Sequence, residues 1–126
     1  MKKANLSSRQ GRSVSVSLQY LRDFSGGDDA FVRQIVNAFT QEAPALIEEL
    51  RRGAKAADEE LTYRMAHRLK TLYGMLGMRE QQNLAMKLEQ SARSHNAQSK
   101  WASLANQLCR DTQAALPLLK RAIEER

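Results

Sequence analysis

His67 is the residue whose chemistry stands out first in this sequence. It lies in a segment where apolar residues recur at helical spacing, namely Leu61, Met65, Leu69, Leu72 and Leu76. On a helical wheel these five side chains share one face, and His67 falls nearly opposite to them. We therefore predict an exposed imidazole near the middle of a helix, free to act on something outside the core.

Two other uses of this histidine find little support in the sequence. A metal site needs further ligands at close spacing, but there is no His-Glu-x-x-His pattern, and His95 lies in a predicted turn. Cys109 falls at the core edge of the last predicted helix, which favours an inert, buried thiol over a catalytic partner. Gly26-Gly27 lacks the lysine of a phosphate-binding loop. We predict no metal, no nucleotide site and no other cofactor.

The neighbours of His67 suit a phosphoryl group carried on the imidazole. Lys70, one turn further on, can place its ammonium near an anion on the ring. Gly74 shares this face, although a glycine inside a helix costs about 1 kcal/mol relative to alanine, and its small size lets another protein approach the backbone. A docking partner is therefore expected here. The predicted docking face consists of Tyr63, Arg64, Arg68, Thr71, Gly74 and Met78.

Length and charge narrow the class of protein. The chain has 126 residues, enough for one domain, and a formal net charge of +6. Four of its cations, Lys2, Lys3, Arg9 and Arg12, precede Ser13, which leaves 16 basic against 14 acidic residues elsewhere. So mild an excess argues against a nucleic-acid-binding core. The longest apolar runs are too short to span a bilayer. We expect a cytoplasmic monomer without membrane contact.

The composition predicts an all-α fold. Glycine and proline are rare, and no convincing alternation of apolar and polar residues indicates a strand. Residues 1–15 are predicted to form a flexible basic arm or linker, and residues 16–126 an antiparallel four-helix bundle with a short additional N-terminal helix. The predicted helices span about 17–24, 29–52, 59–77, 79–94 and 97–124.

Capping residues and helix breakers set these boundaries. Asp28 or Asp29 and Asp58 are suitable N-caps for the second and third helices, and Gly53 is a suitable end for the second. Leu18, Leu21 and Phe24 are expected to face inward from the first helix. Pro44 and Pro117 lie inside predicted helices, so we expect a kink at each, or an early end of the last helix at Pro117.

The segment around His67 resembles the signature of bacterial histidine-containing phosphotransfer domains. The matching run is Ala66-His67-Arg68-Leu69-Lys70, continuing through Gly74, Leu76 and Gly77. The context is similar too, in Phe24–Asp28, in Phe39–Leu50 with Pro44 inside, and in Leu88-Glu89. The resemblance extends from about residue 18 to residue 123. It departs from the family pattern at Thr71, where glycine is usual, and at Leu72 and Tyr73, where small residues are common, so we expect a bulkier docking face.

The resemblance implies a function in two-component signalling. His67 would accept a phosphoryl group from a receiver-domain aspartate and pass it to another receiver, with Lys70 helping to neutralise the phosphate. The receiver, with its own metal ion, would supply most of the charge stabilisation. The domain would be a carrier without its own kinase activity, either independent or part of a hybrid sensor kinase. The alternative is a helical protein-interaction module whose histidine is never phosphorylated.

Overall fold

The computed structural model describes residues 14–124, which form the predicted all-α bundle. The helices are α1 Gln19–Ser25, α2 Asp29–Lys55, α3 Glu59–Met75, α4 Arg79–Ser94 and α5 Trp101–Glu124. The four long helices pack in a ring in which α2 contacts α3 and α5, and α4 contacts α3 and α5. A short α1 packs against α2, and a single 3-10 turn, Gln98–Lys100, precedes α5. Within residues 14–124, no helix is long and apolar enough to cross a membrane.

The predicted caps begin the second and third helices. The side chain of Asp28 accepts a hydrogen bond from the Phe31 amide at 3.1 Å, and Asp58 accepts one from the Leu61 amide at 3.1 Å. Each aspartate thus satisfies an amide that has no partner within its helix, and its charge suits the positive end of the helix dipole. The predicted bounds of α4 are also confirmed.

Helix α2 runs further than the sequence predicted. It continues past Gly53 to Lys55, and Pro44 lies inside it. Gly53 is buried, and a Cβ added there would lie 3.0 Å from Cγ of Leu61. This glycine therefore lets the start of α3 pack closely instead of ending α2. Of the two alternatives expected at Pro117, a kink or an early end of α5, the early end is wrong, because that helix continues to Glu124.

The core face of α3 is rotated from the predicted one. Leu69 and Leu76 are buried as expected, but Leu61, Met65 and Leu72 are only partly buried. The fully covered side chains centre about 60° further round the helical wheel. They are Thr62, Ala66, Leu69 and Tyr73. The prediction followed the leucines and methionines, whereas the buried face of α3 also includes the small Ala66 and Tyr73. The Tyr73 hydroxyl is hydrogen-bonded to that of Thr112 on α5 at 2.8 Å.

A reversal at Gly77 ends α3 and turns Met78 into the core. Gly77 has φ +70°, a left-handed conformation that glycine adopts readily, and a Cβ there would lie 2.8 Å from the Ser17 amide nitrogen. The Ser17 amide donates to the Leu76 carbonyl at 2.9 Å, which ties the start of α1 to this turn. Met78 follows as the N-cap of α4 and is fully buried. Its predicted place on the docking face is wrong, because it no longer belongs to the α3 helical wheel.

The N-terminal helix differs from the prediction in one side chain. Leu18 and Leu21 are buried as expected, but Phe24 is 70% exposed, and its ring stacks between Tyr20 and Phe31 on the surface. A helix of only two turns has one narrow buried face, and Leu18 and Leu21 occupy it. Of the predicted arm, residues 1–15, the first thirteen lie outside the described residues. Val14, which the prediction also assigned to the arm, is buried.

Candidate functional site

The imidazole of His67 is exposed and hydrogen-bonded at one nitrogen. Its side chain is 53% exposed, on the face that the sequence predicted. Nδ1 lies 2.6 Å from Oε2 of Glu89, which reaches across from α4. An ionised carboxylate can only accept, so in the neutral imidazole this bond places the ring proton on Nδ1 and leaves Nε2 with a free lone pair. The ring is therefore oriented with one nitrogen ready to act as a nucleophile.

Glu89 is a buried carboxylate with one partner for each oxygen. Its side chain is 8% exposed, and Oε1 accepts from the Lys70 ammonium at 2.9 Å while Oε2 contacts His67. Burial raises the pKa of Glu89, but the hydrogen bonds and charges of Lys70 and His67 outweigh burial, so its pKa lies below the ordinary value. Glu89 is therefore ionised at neutral pH and holds His67 and Lys70 on one anchor.

The ring of Tyr63 lies beside the imidazole, one turn earlier on α3. The two ring centroids are 5.8 Å apart and the planes are inclined by 20°, a stacked arrangement. The Tyr63 ring also contacts Arg93, near the end of α4. The guanidinium carbon of Arg93 lies 5.6 Å from the centroid of the Tyr63 ring. Helices α3 and α4 are antiparallel, so the Tyr63–Arg93 contact lies one helical turn from the His67–Glu89 contact along the same interface.

Three other predicted docking residues are exposed around His67. Arg68 pairs with Glu42 of α2 at 3.1 Å, and Arg64 lies 3.9 Å from Glu60. Both arginines thus carry a neighbouring carboxylate that partly cancels their charge. The Thr71 hydroxyl donates to the His67 carbonyl at 3.4 Å, a bond back along the helix that threonine often makes.

Two residues of the histidine segment serve the interior of the bundle instead. Gly74 is partly covered by α4, because a Cβ added there would lie 2.5 Å from Nε2 of Gln82. Tyr73 is fully buried, and burial raises the pKa of its phenol, which stays protonated and bonded to Thr112. Tyr73 therefore does not make the docking face bulkier, contrary to expectation, whereas Thr71 does project from it.

Sequence reasoning missed Glu89 and Arg93 as site residues. A signal for the first was present, because Glu89 shares the apolar face of α4 with Ala85, Leu88 and Ala92 at helical spacing. A carboxylate on a buried face needs partners, and the exposed histidine and lysine of the preceding helix could supply them. Arg93 carries no comparable signal, because an arginine in the last turn of a helix is common.

Comparison with known families decides the relationship. The family model described as "Hpt domain" matches residues 34–125, well over half of the chain. The chain is a member of the Hpt domain family. Hpt domains carry phosphoryl groups in phosphorelay signalling, and they interact with receiver domains and kinases. No curated protein and no solved structure matches this Hpt domain.

The side chains around His67 form no metal centre. Among residues 14–124, no group of three or more His, Cys, Asp or Glu side chains is placed to hold a metal ion. His95, the other histidine, caps α4 in a left-handed conformation, and its Nδ1 lies 2.5 Å from Oε1 of Glu59. The candidate site of this Hpt domain brings together an exposed imidazole, a buried carboxylate and the Lys70 ammonium on the same carboxylate.

Proposed function

We propose that His67 is the phospho-acceptor of this Hpt domain, which receives a phosphoryl group from a receiver-domain aspartate and passes it to a second receiver. The observation that carries the proposal is the pairing of an exposed imidazole with a buried carboxylate. A histidine with no task does not need a fixed ring, and burial of Glu89 is unfavourable without the partners it finds here.

The transfer step uses the nitrogen that Glu89 leaves free. Nε2 of His67 attacks the phosphorus of the receiver's aspartyl phosphate, an N–P bond forms, and the O–P bond to the aspartate breaks. The aspartate leaves as a carboxylate. Nε2 carries no proton at the start, so none must be removed, and the Nδ1 proton stays in its bond to Glu89. Transfer to the next receiver is the same exchange in reverse.

The charges around the ring support this role. When the phosphoryl group leaves, the ring returns to the neutral form whose Nδ1 proton Glu89 holds. While the phosphoryl group is present, the Lys70 ammonium, which is 26% exposed and anchored on Glu89, provides positive charge within a turn of the imidazole. The domain itself needs only to present the ring, because phosphoryl transfer depends mainly on positioning and on charge stabilisation that a receiver pocket can provide.

The direct test is whether the chain becomes phosphorylated on His67. The chain is incubated with a phosphorylated receiver, and separately with phosphoramidate as a small donor. We expect label that is lost in acid and stable in alkali, as a phosphoramidate bond on histidine is, and its absence in His67→Gln.

His95→Gln is the matched control, because it removes the chain's other histidine from a turn at the end of α4. It should label as the wild type does. Equal labelling of His67→Gln and the wild type, or no label from either donor, would support the alternative of an interaction module with an unphosphorylated histidine.

A further inference from the structure

The arginine nearest to the Tyr63 ring differs from the other arginines around His67. Arg64 and Arg68 each lie within 4 Å of a glutamate oxygen. Arg93, in contrast, has its guanidinium against the face of Tyr63, at 5.6 Å from the ring centroid. The positive charge of Arg93 therefore lies against an aromatic ring that itself stacks on the imidazole.

The imidazole has two independent restraints. Glu89 holds the edge of the ring at Nδ1, which fixes its tautomer but still allows the ring to tilt about the hydrogen bond. Tyr63 lies against the face of the ring, with the planes inclined by only 20°, which opposes such a tilt. The Tyr63 ring is partly buried and packs against the core, and the guanidinium of Arg93 adds a second support at 5.6 Å from its centroid.

We propose that Tyr63 and Arg93 form a brace that sets the orientation of the His67 ring for phosphoryl transfer, Tyr63 by stacking on the imidazole and Arg93 by holding the Tyr63 ring. This inference rests on the proposed function of His67. Both are positioning residues, since they act through the imidazole and touch neither donor nor phosphate in this role. The brace connects α4 to α3 one turn away from the Glu89 anchor.

The test is a double-mutant cycle with a donor that does not dock. The rate of His67 phosphorylation by phosphoramidate is measured for the wild type, Tyr63→Ala, Arg93→Gln and the double variant. We expect each single variant to be about two- to five-fold slower, the factor that corresponds to one exposed cation–π contact. The double variant should be no slower than Tyr63→Ala, because Arg93 acts only through the ring.

Conservative variants separate a brace from a general loss of structure. Tyr63→Phe keeps the ring and Arg93→Lys keeps a cation, so both should retain most of the wild-type rate. Arg79→Gln removes an exposed arginine from the other end of α4 and should have no effect. The NMR shifts of the His67 ring protons, which depend on the stacked Tyr63 ring, should move in Arg93→Gln and stay unchanged in Arg79→Gln.

Three results would overturn the brace. If Arg93→Gln slows phosphorylation equally in the presence and absence of Tyr63, Arg93 acts on the phosphoryl group directly. If the variants lose only transfer from receivers and keep the wild-type rate with phosphoramidate, the pair belongs to receiver docking. If all variants keep the wild-type rate with both donors, Tyr63 and Arg93 have no role in orienting the imidazole. Failure of the underlying function looks different, because the wild type itself would then take no label.

Discussion

Oε2 of Glu89 lies 2.6 Å from Nδ1 of His67, so a buried carboxylate of α4 fixes an exposed imidazole of α3. The same carboxylate holds the Lys70 ammonium through its other oxygen. One carboxylate therefore contacts both the imidazole and the ammonium. Because this carboxylate lies on α4 and the histidine on α3, the orientation of the imidazole depends on how α3 and α4 pack together.

Removal of this carboxylate is expected to impair phosphorylation of His67. Glu89→Ala frees the ring and allows the proton to move to Nε2, which blocks the nucleophile. A hydrogen bond to a charged group is worth about 1.5–3 kcal/mol, so we expect a loss of about ten- to a hundred-fold in the rate with phosphoramidate. Nitrogen-15 NMR of the imidazole should show the fraction of the Nδ1-protonated tautomer falling in parallel.

The matched control for this experiment is Glu48→Gln. Glu48 is an exposed carboxylate of α2 that pairs with Arg51 at 3.6 Å. Its neutralisation should change neither the rate nor the tautomer. A Glu89→Ala variant that keeps the wild-type tautomer would show that the ring proton is held by another group.

Glu89 should also make the stability of the fold depend on pH in the acid range. Its pKa in the folded state lies below the ordinary glutamate value of 4.5, so the unfolded chain binds the proton more readily. The stabilisation is therefore complete above about pH 4.5 and is lost as the pH falls through the lower, folded-state pKa. Urea unfolding between pH 3 and 5.5 should give a free energy of unfolding that falls less steeply towards acid in Glu89→Gln than in the wild type. Parallel curves would exclude this contribution.

The turn at Gly77 offers a prediction about stability alone. Gly77→Ala places a Cβ within 3 Å of the Ser17 backbone and forces a left-handed conformation on alanine, so we expect a loss of about 2 kcal/mol or more. Gly26 has a similar φ of +69° but open space around its Cβ position, so Gly26→Ala should lose only about 1 kcal/mol. Thermal unfolding of the two variants measures the difference. Equal losses would mean that the contact with Ser17 contributes nothing.

Local signals in the sequence predicted much of this fold. The aspartate caps at Asp28 and Asp58 were predicted correctly, because a cap is a contact between residues three apart. The bounds of α4 followed from its apolar spacing. The position of Met78 does not follow from the periodicity of α3, because the chain reverses at Gly77 and Met78 already belongs to the start of α4.

The site was predicted in part for a similar reason. The exposure of His67 follows from the pattern of a single helix, so it could be inferred without a partner element. The bond to Glu89 joins residues 22 positions apart on two helices, and the Arg93 contact with Tyr63 spans 30. Such contacts depend on the register between α3 and α4, which no local pattern determines.

Thr71 is the departure from the family pattern that projects beside the imidazole, and we expect it to restrict which receivers can approach. Its hydroxyl bonds back to the His67 carbonyl at 3.4 Å, so its methyl group and hydroxyl occupy space on the exposed face one turn beyond the ring. Thr71→Gly should lower stability by up to about 1 kcal/mol and leave phosphorylation by a cognate receiver intact. The set of receivers that exchange phosphate with His67 should broaden, because a steric obstacle has been removed.

A panel of phosphorylated receivers, tested against the wild type and Thr71→Gly, measures this change. Thr40→Gly is the matched control, since Thr40 makes the equivalent bond to the Val36 carbonyl at 2.9 Å on α2 and is exposed in the groove between α2 and α5. Both glycine variants introduce the same helix-weakening residue, so a broader range caused by loosening of the bundle would appear in both. A broader range in Thr71→Gly alone identifies a gate beside the histidine, and an unchanged or narrower range shows that Thr71 does not select among receivers.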